Sequence, residues 1–171
     1  IATGPGEQNA SPCKQISAPE DAVMSADTSR AGIVTRARSI FDSGAYLARL
    51  AELVAVPTES QMPNREADLR RYCADVLAPM VAAIGFETQV LENPQPGRGP
   101  VLLATRIEGA GLPTVLLYGH GDVVRVMPER WKPVLVPWRL SVDGDRIYGR
   151  GSVENKGQHL LAFDAMRALL D

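Results

Sequence analysis

Thr114-Val115-Leu116-Leu117-Tyr118-Gly119-His120-Gly121-Asp122-Val123-Val124 is an apolar run that breaks at a glycine-bracketed histidine. Thr114 to Tyr118 is apolar on both faces, as expected of a central strand in a covered, mostly parallel sheet. Ligands in open α/β sheets bind beyond the carboxyl ends of the strands, and His120 falls there. A His and an Asp two positions apart suit a division of labour. His120 can offer one ring nitrogen to a metal while Asp122 holds the other and fixes the tautomer. Gly119 and Gly121 predict space beside His120 for a metal or substrate. The same residues also suit an idle histidine in a glycine-rich turn, hydrogen-bonded to a neighbouring carboxylate. Alone, the spacing favours that plainer role.

Helices lie upstream of this run. Ser43 is placed to cap a helix from Gly44 to Ala55, with Leu47, Leu50, Ala51 and Val54 on one face, and Pro57 ends it. Asn64 is placed to cap a longer helix. In it Leu69, Tyr72, Cys73, Val76, Leu77, Met80, Val81 and Ile84 recur at three- and four-residue steps. Pro79 should kink it and Gly85 should stop it. Phe86–Leu91 and Val101–Ile107 then read as strands around the loop from Asn93 to Pro100. Arg139–Asp143 and Arg146–Tyr148 flank Gly144-Asp145, a hairpin signal. Asn155–Leu170 reads as a largely buried helix with a narrow polar strip at Asp164, Arg167 and Asp171. The pattern is α/β: a mostly parallel central sheet flanked by helices, with an antiparallel hairpin.

Residues 1–29 lack hydrophobic period and are expected to form a disordered tail, with order over 30–171. The chain opens with Ile1, and Met24 is a plausible natural start. No basic start leads into an apolar core, so the opening is not a secretory signal. Eighteen Lys plus Arg against twenty Asp plus Glu leave a net charge of −2, without the basic excess that binding nucleic acid requires. The longest apolar runs are too short to span a membrane. Cys13 and Cys73 form neither a disulfide framework nor a thiolate zinc site, and with no export signal they point to a cytoplasmic protein.

The second chemical segment is Tyr148-Gly149-Arg150-Gly151-Ser152-Val153-Glu154-Asn155-Lys156-Gly157-Gln158-His159. Glu154 occupies the third glycine position of a dinucleotide fingerprint, so that motif fails. A phosphate loop needs Gly-Lys-Ser or Gly-Lys-Thr where Lys156-Gly157-Gln158 stands. A nucleophile elbow needs glycines where Arg150 and Glu154 flank Ser152. Glu154, at the mouth of the last helix, can reach the sheet edge that carries His120 and act as a metal ligand. It also suits a simple helix N-terminus, where the dipole favours an acid. His159 reads as a surface residue of the helix, Trp131 and Trp138 as loop anchors, and Asp143 and Asp145 as solvated turn residues.

Taken together in order and spacing, these segments resemble the dinuclear zinc peptidases and deacylases. That family includes aminoacylase, carboxypeptidase G, acetylornithine deacetylase and the carnosinase-type dipeptidases. The resemblance runs from about residue 32 to 171, as the N-terminal part of a catalytic domain. It implies hydrolysis of amide bonds in small peptides or N-acyl amino acids, with two zinc ions and cobalt or manganese as alternatives. It implies a metal ligand in His120, a catalytic orienting partner in Asp122, and a metal ligand in Glu154, where the family has an Asp that bridges both metals. It further implies a cis peptide between Glu154 and Asn155, and a homodimer in a full-length relative.

Two catalytic zincs need about three protein ligands each, counting a shared bridge twice. His120 and Glu154 are two candidates, and no carboxylate is placed as general base. The family takes its catalytic Glu, further acidic ligands and a second His from later segments. The chain is therefore expected to be an incomplete hydrolase, inactive alone. A non-catalytic remnant or partner-binding pseudoenzyme is the alternative.

Overall fold

The computed structural model describes residues 27–170. Residues 1–26 of the expected tail, with Cys13 and Met24, lie outside the described residues, as does Asp171. Ser29 starts helix α1 (Arg30–Asp42), its hydroxyl accepting the Gly32 N–H at 3.1 Å. That contact fills one of the donors that every helix start leaves unpaired. Ser43 does not cap the next helix. It closes α1, its N–H bonding back to Ser39 O, and Gly44 at φ 79° turns the chain into α2 (Ala45–Val54). The left-handed backbone there suits glycine and resists a side chain.

The single helix expected from Asn64 to Ile84 is three consecutive pieces. They are α3 (Glu66–Arg71), a π-helical stretch (Tyr72–Leu77) and α4 (Ala78–Ala82). Asn64 sits at φ 64° and Arg65 takes the cap position. The wider turn ends where Pro79 enters. Pro79 has no N–H to offer Asp75 O, and its ring would press on that carbonyl in an ordinary α-turn. The apolar face survives the change: Leu69, Tyr72, Leu77, Met80, Val81 and Ile84 are all buried.

Strands β1 (Glu87–Leu91) and β2 (Val101–Thr105) pair antiparallel, with Glu87 opposite Thr105 and Leu91 opposite Val101. Strands β3 (Ser141–Asp143) and β4 (Arg146–Tyr148) form the expected hairpin around Gly144 at φ 60°. The α/β class stands, but the mostly parallel central sheet is not formed among the described residues, where both ladders are antiparallel. Thr114–Tyr118 joins neither ladder, and Leu116 and Tyr118 are 89% and 87% exposed. A strand apolar on both faces needs a neighbour at each edge and a cover on each face. No described segment supplies the pairing.

Helix α5 (Lys156–Leu170) closes the fold against α1 and α2. Asp164 and Arg167 of its expected polar strip turn inward. Asp164 is buried and paired with Arg49 of α2 at 2.7 Å, while Leu161 and Leu169 are exposed. The charge on Arg49 decides the rotation that the apolar count misjudges. Arg36 of α1 donates to Ala168 O at 2.8 Å, placing a cation at the negative end of the α5 dipole. The core joins Tyr46, Leu50, Leu53, Val54, Val56, Tyr72, Leu77, Met80 and Leu160. No helix of the described residues is long and apolar enough to cross a membrane.

Candidate metal centre

Pro57 ends α2, and the polar turn after it grips the His-x-Asp segment. Thr58 donates its hydroxyl to Gly121 O at 2.5 Å and accepts the Val123 N–H on its carbonyl at 2.9 Å. Ser60 donates to Asp122 Oδ2 at 2.6 Å. Glu59 Oε1 accepts the Val126 N–H at 2.8 Å, and Arg65 flanks its other oxygen. Trp131 donates to Val126 O at 3.0 Å and lies under the Arg150 guanidinium, which makes it the loop anchor expected.

These ties aim His120. Its Nδ1 lies 3.0 Å from Asp122 Oδ1, and its Nε2 lies 2.8 Å from Glu154 Oε1. The two segments separated by 34 residues therefore converge. A neutral ring that donates Nδ1–H to Asp122 would point a bare Nε2 lone pair at a carboxylate. At 2.8 Å that contact is stable only with a cation between the atoms. In the protein alone the cation is a proton. Burial acts to lower the His120 pKa, but bonds to Glu154 and Asp122 outweigh it and hold the ring above the ordinary imidazole range. One imidazole nitrogen and one carboxylate oxygen are also a donor pair suited to zinc. They fit one side of a metal site. Among the described residues, no group of three or more His, Cys, Asp or Glu side chains is arranged to hold an ion. Asp143 and Asp145 are exposed in their turn, as expected.

Glu154 reaches this position from a turn whose peptide bond to Asn155 is cis, as the family resemblance implies. Asn155 Oδ1 accepts the His120 N–H at 3.1 Å. Lys156 is fully buried and donates to Leu53 O at 2.8 Å and Val56 O at 2.7 Å, tying the start of α5 to the end of α2. Its ammonium lies 4.8 Å from the Tyr72 ring centre, and burial pulls its pKa down to about 7.

The glycines beside His120 do not leave open space. A methyl group at Gly121 would lie 2.2 Å from Tyr72 Cε1, and one at Gly119 would lie 2.8 Å from His159 Cβ. They admit protein side chains, packed against the back of the histidine.

His159 is buried, not on the surface as expected, with Nε2 2.8 Å from Tyr72 Oη and Nδ1 3.3 Å from Asn155 Oδ1. Burial first, then the charges of Lys156 and His120, push its pKa down to about 4. An unfolded chain binds this proton near pH 6.5, so His159 contributes full stability above that pH. The contribution is lost as pH falls from 6.5 towards 4. Urea unfolding should therefore show a loss of about 2–3 kcal/mol between pH 6.5 and 4.5. That slope should flatten in His159→Leu; an unchanged slope would assign it to other groups.

The residues missed in the sequence share one trait. Thr58, Ser60, Tyr72 and Asn155 support His120 from other segments, and for Thr58, Ser60 and Asn155 only their polarity beside Pro57 or in the Glu-Asn-Lys-Gly turn marks them. Tyr72 carried no signal, since it sits in a regular apolar stripe.

The fold is a partial α/β domain that brings one imidazole and one carboxylate together. Residues 116–171 match the peptidase family M20/M25/M40. Acetylornithine deacetylase of Pasteurella multocida (strain Pm70) is 31% identical over 124 residues, covering 72% of this chain and 31% of the relative. The acetylornithine deacetylase of Salmonella arizonae is 31% identical over 121 residues, covering 68% of this chain and 30% of the relative. Among solved structures, human carnosine dipeptidase 1 superposes with a TM-score of 0.68 at 28% identity, covering 80% of this chain and 31% of its own. The di-peptidase Dug1p of Saccharomyces cerevisiae gives 0.71 at 22% identity, covering 82% and 31%, a likeness of fold. The family match lies in the C-terminal part of the chain, which spans about 31% of the length of these relatives.

Proposed function

We propose that these residues are the N-terminal portion, residues 30–171, of a zinc-dependent hydrolase of amide bonds in small peptides or N-acyl amino acids. His120 and Glu154 are its metal ligands and Asp122 orients His120. The observation that carries the reading is the 2.8 Å approach of His120 Nε2 to Glu154 Oε1, with Nδ1 held by Asp122. Zinc, when bound, supplies Lewis-acid polarisation of the scissile carbonyl. The chain's own contribution is to hold one imidazole and one carboxylate on a common point and to fix the tautomer through Asp122. A cytoplasmic location and homodimerisation of a longer protein belong to the same proposal.

With two donors, the 171 residues are expected to bind zinc weakly and to hydrolyse no amide substrate. Calorimetric titration should show this weak binding disappear in His120→Ala. Tight stoichiometric uptake of two ions, or binding indifferent to His120, would overturn the ligand assignment. The coding sequence past Asp171 separates enzyme from non-catalytic remnant. An open frame supplying a Glu-Glu pair and a later His supports hydrolysis, and a stop codon there supports the partner-binding alternative.

A further inference from the structure

Behind His120 lies a chain of polar groups whose direction can be worked out atom by atom. The His120 backbone N–H can only donate, so the atom of Asn155 that meets it at 3.1 Å is the amide oxygen. The amide nitrogen then faces Gln158 Oε1, and Gln158 Nε2 lies 3.4 Å from Glu154 Oε2. The same Asn155 oxygen lies 3.3 Å from His159 Nδ1. An oxygen without a hydrogen accepts, so Nδ1 carries the proton. His159 Nε2 is left with its lone pair, and the Tyr72 hydroxyl donates to it at 2.8 Å. The ring nitrogens of His159 thus meet one hydroxyl and one amide oxygen. The hydroxyl that starts the chain and the imidazole that continues it are both buried.

We infer that Tyr72, His159 and Asn155 form a one-way hydrogen-bond relay that positions His120 and Glu154 as paired ligands of one divalent cation. The role rests on the reading of those two residues as ligands, whereas the direction of the relay does not. Asn155 is the hub, touching the His120 backbone on one side and, through Gln158, the free oxygen of Glu154 on the other. A buried imidazole in the opposite tautomer would set two lone pairs against each other at Asn155, while the Tyr72 hydroxyl, able to accept, would tolerate either. The relay therefore rotates Asn155 into one orientation, and both ligands inherit it. Tyr72, His159 and Asn155 are positioning residues, since none of them reaches the cation.

The test uses the 171-residue chain labelled with ¹⁵N and zinc chloride as the probe. Long-range proton–nitrogen correlation at neutral pH should find His159 neutral with its hydrogen on Nδ1. Zinc titration followed on the His120 ring signals should give an affinity that His159→Leu lowers at least about tenfold, the scale on which outer partners of metal ligands act. His159→Asn places an amide nitrogen where Nδ1 stood and should restore most of it. A hydrogen on Nε2, or equal affinities in the wild type and His159→Leu, would overturn the relay. Failure of the wild type to bind zinc at all would instead overturn the ligand reading, and the positioning role with it.

Discussion

Lys156→Ala is expected to lower the stability of the chain by about 3–5 kcal/mol, a large part of the ~5–15 kcal/mol typical of a domain. Two losses combine. The aliphatic stem is buried completely between α2, Tyr72 and Trp138, so its removal opens a cavity. The carbonyls of Leu53 and Val56 also lose their Nζ–H donor at the end of α2. Lys156→Met separates the two, because methionine refills most of the stem and restores neither bond. It is expected to fall between wild type and alanine, about 1–3 kcal/mol below wild type. If methionine equals or exceeds the wild type, the cost of burying the ammonium outweighs its two bonds.

The pH dependence gives an independent signature. Lys156 titrates near 7 in the folded protein and near 10.5 otherwise, so between those values the unfolded chain holds more protons. Stability from this residue is complete above pH 10.5 and is lost as pH falls towards 7. The stability difference between wild type and Lys156→Met should therefore shift in favour of wild type as pH rises across that window.

Gly121→Ala is the second large effect, and it couples stability to the site. The added carbon would stand 2.2 Å from Tyr72 Cε1 and 2.5 Å from Cδ1, well inside any real contact. The ring has nowhere to go. It is 1% exposed, its hydroxyl is bonded to His159, and Lys156 lies over its face. The strain must therefore displace the backbone that carries His120 and Asp122. Overpacking of this kind costs about 1–3 kcal/mol, and the locked ring places this case at the upper end. Zinc affinity is expected to drop at least about tenfold in the same variant. Combining Gly121→Ala with Tyr72→Leu should recover part of the stability loss, a coupling that a double-mutant cycle measures directly. Strict additivity of the two changes would show that the contact is not what the alanine meets.

The helix faces around Leu50 and Leu69–Ile84 were legible because a repeating apolar pattern specifies burial without knowledge of the partner. His120, Asp122 and Glu154 stood out because their order and spacing resemble a known family, and the structure brings their side chains together. What the pattern hid depends on pairs. Asp164 and Leu161 exchange their expected places because Arg49, more than a hundred positions earlier, draws the carboxylate inward. His159 looks like a surface residue until Tyr72 and Asn155 are found on its two nitrogens. The glycines beside His120 signalled close approach correctly, but not what approaches. The π-helical stretch follows from Pro79, yet a proline in a helix announces a distortion without saying which kind.

The grip of the Thr58–Ser60 turn on the His-x-Asp segment has a kinetic corollary. Its bonds join residues 62 and 63 positions apart, and the Asn155 bond joins residues 35 apart. Contacts of such high order assemble only after long loops have closed, so ion affinity should emerge late in refolding, after helical signal has returned. In the finished protein, deuterium uptake at the Val123 amide becomes a local clock for release of that turn.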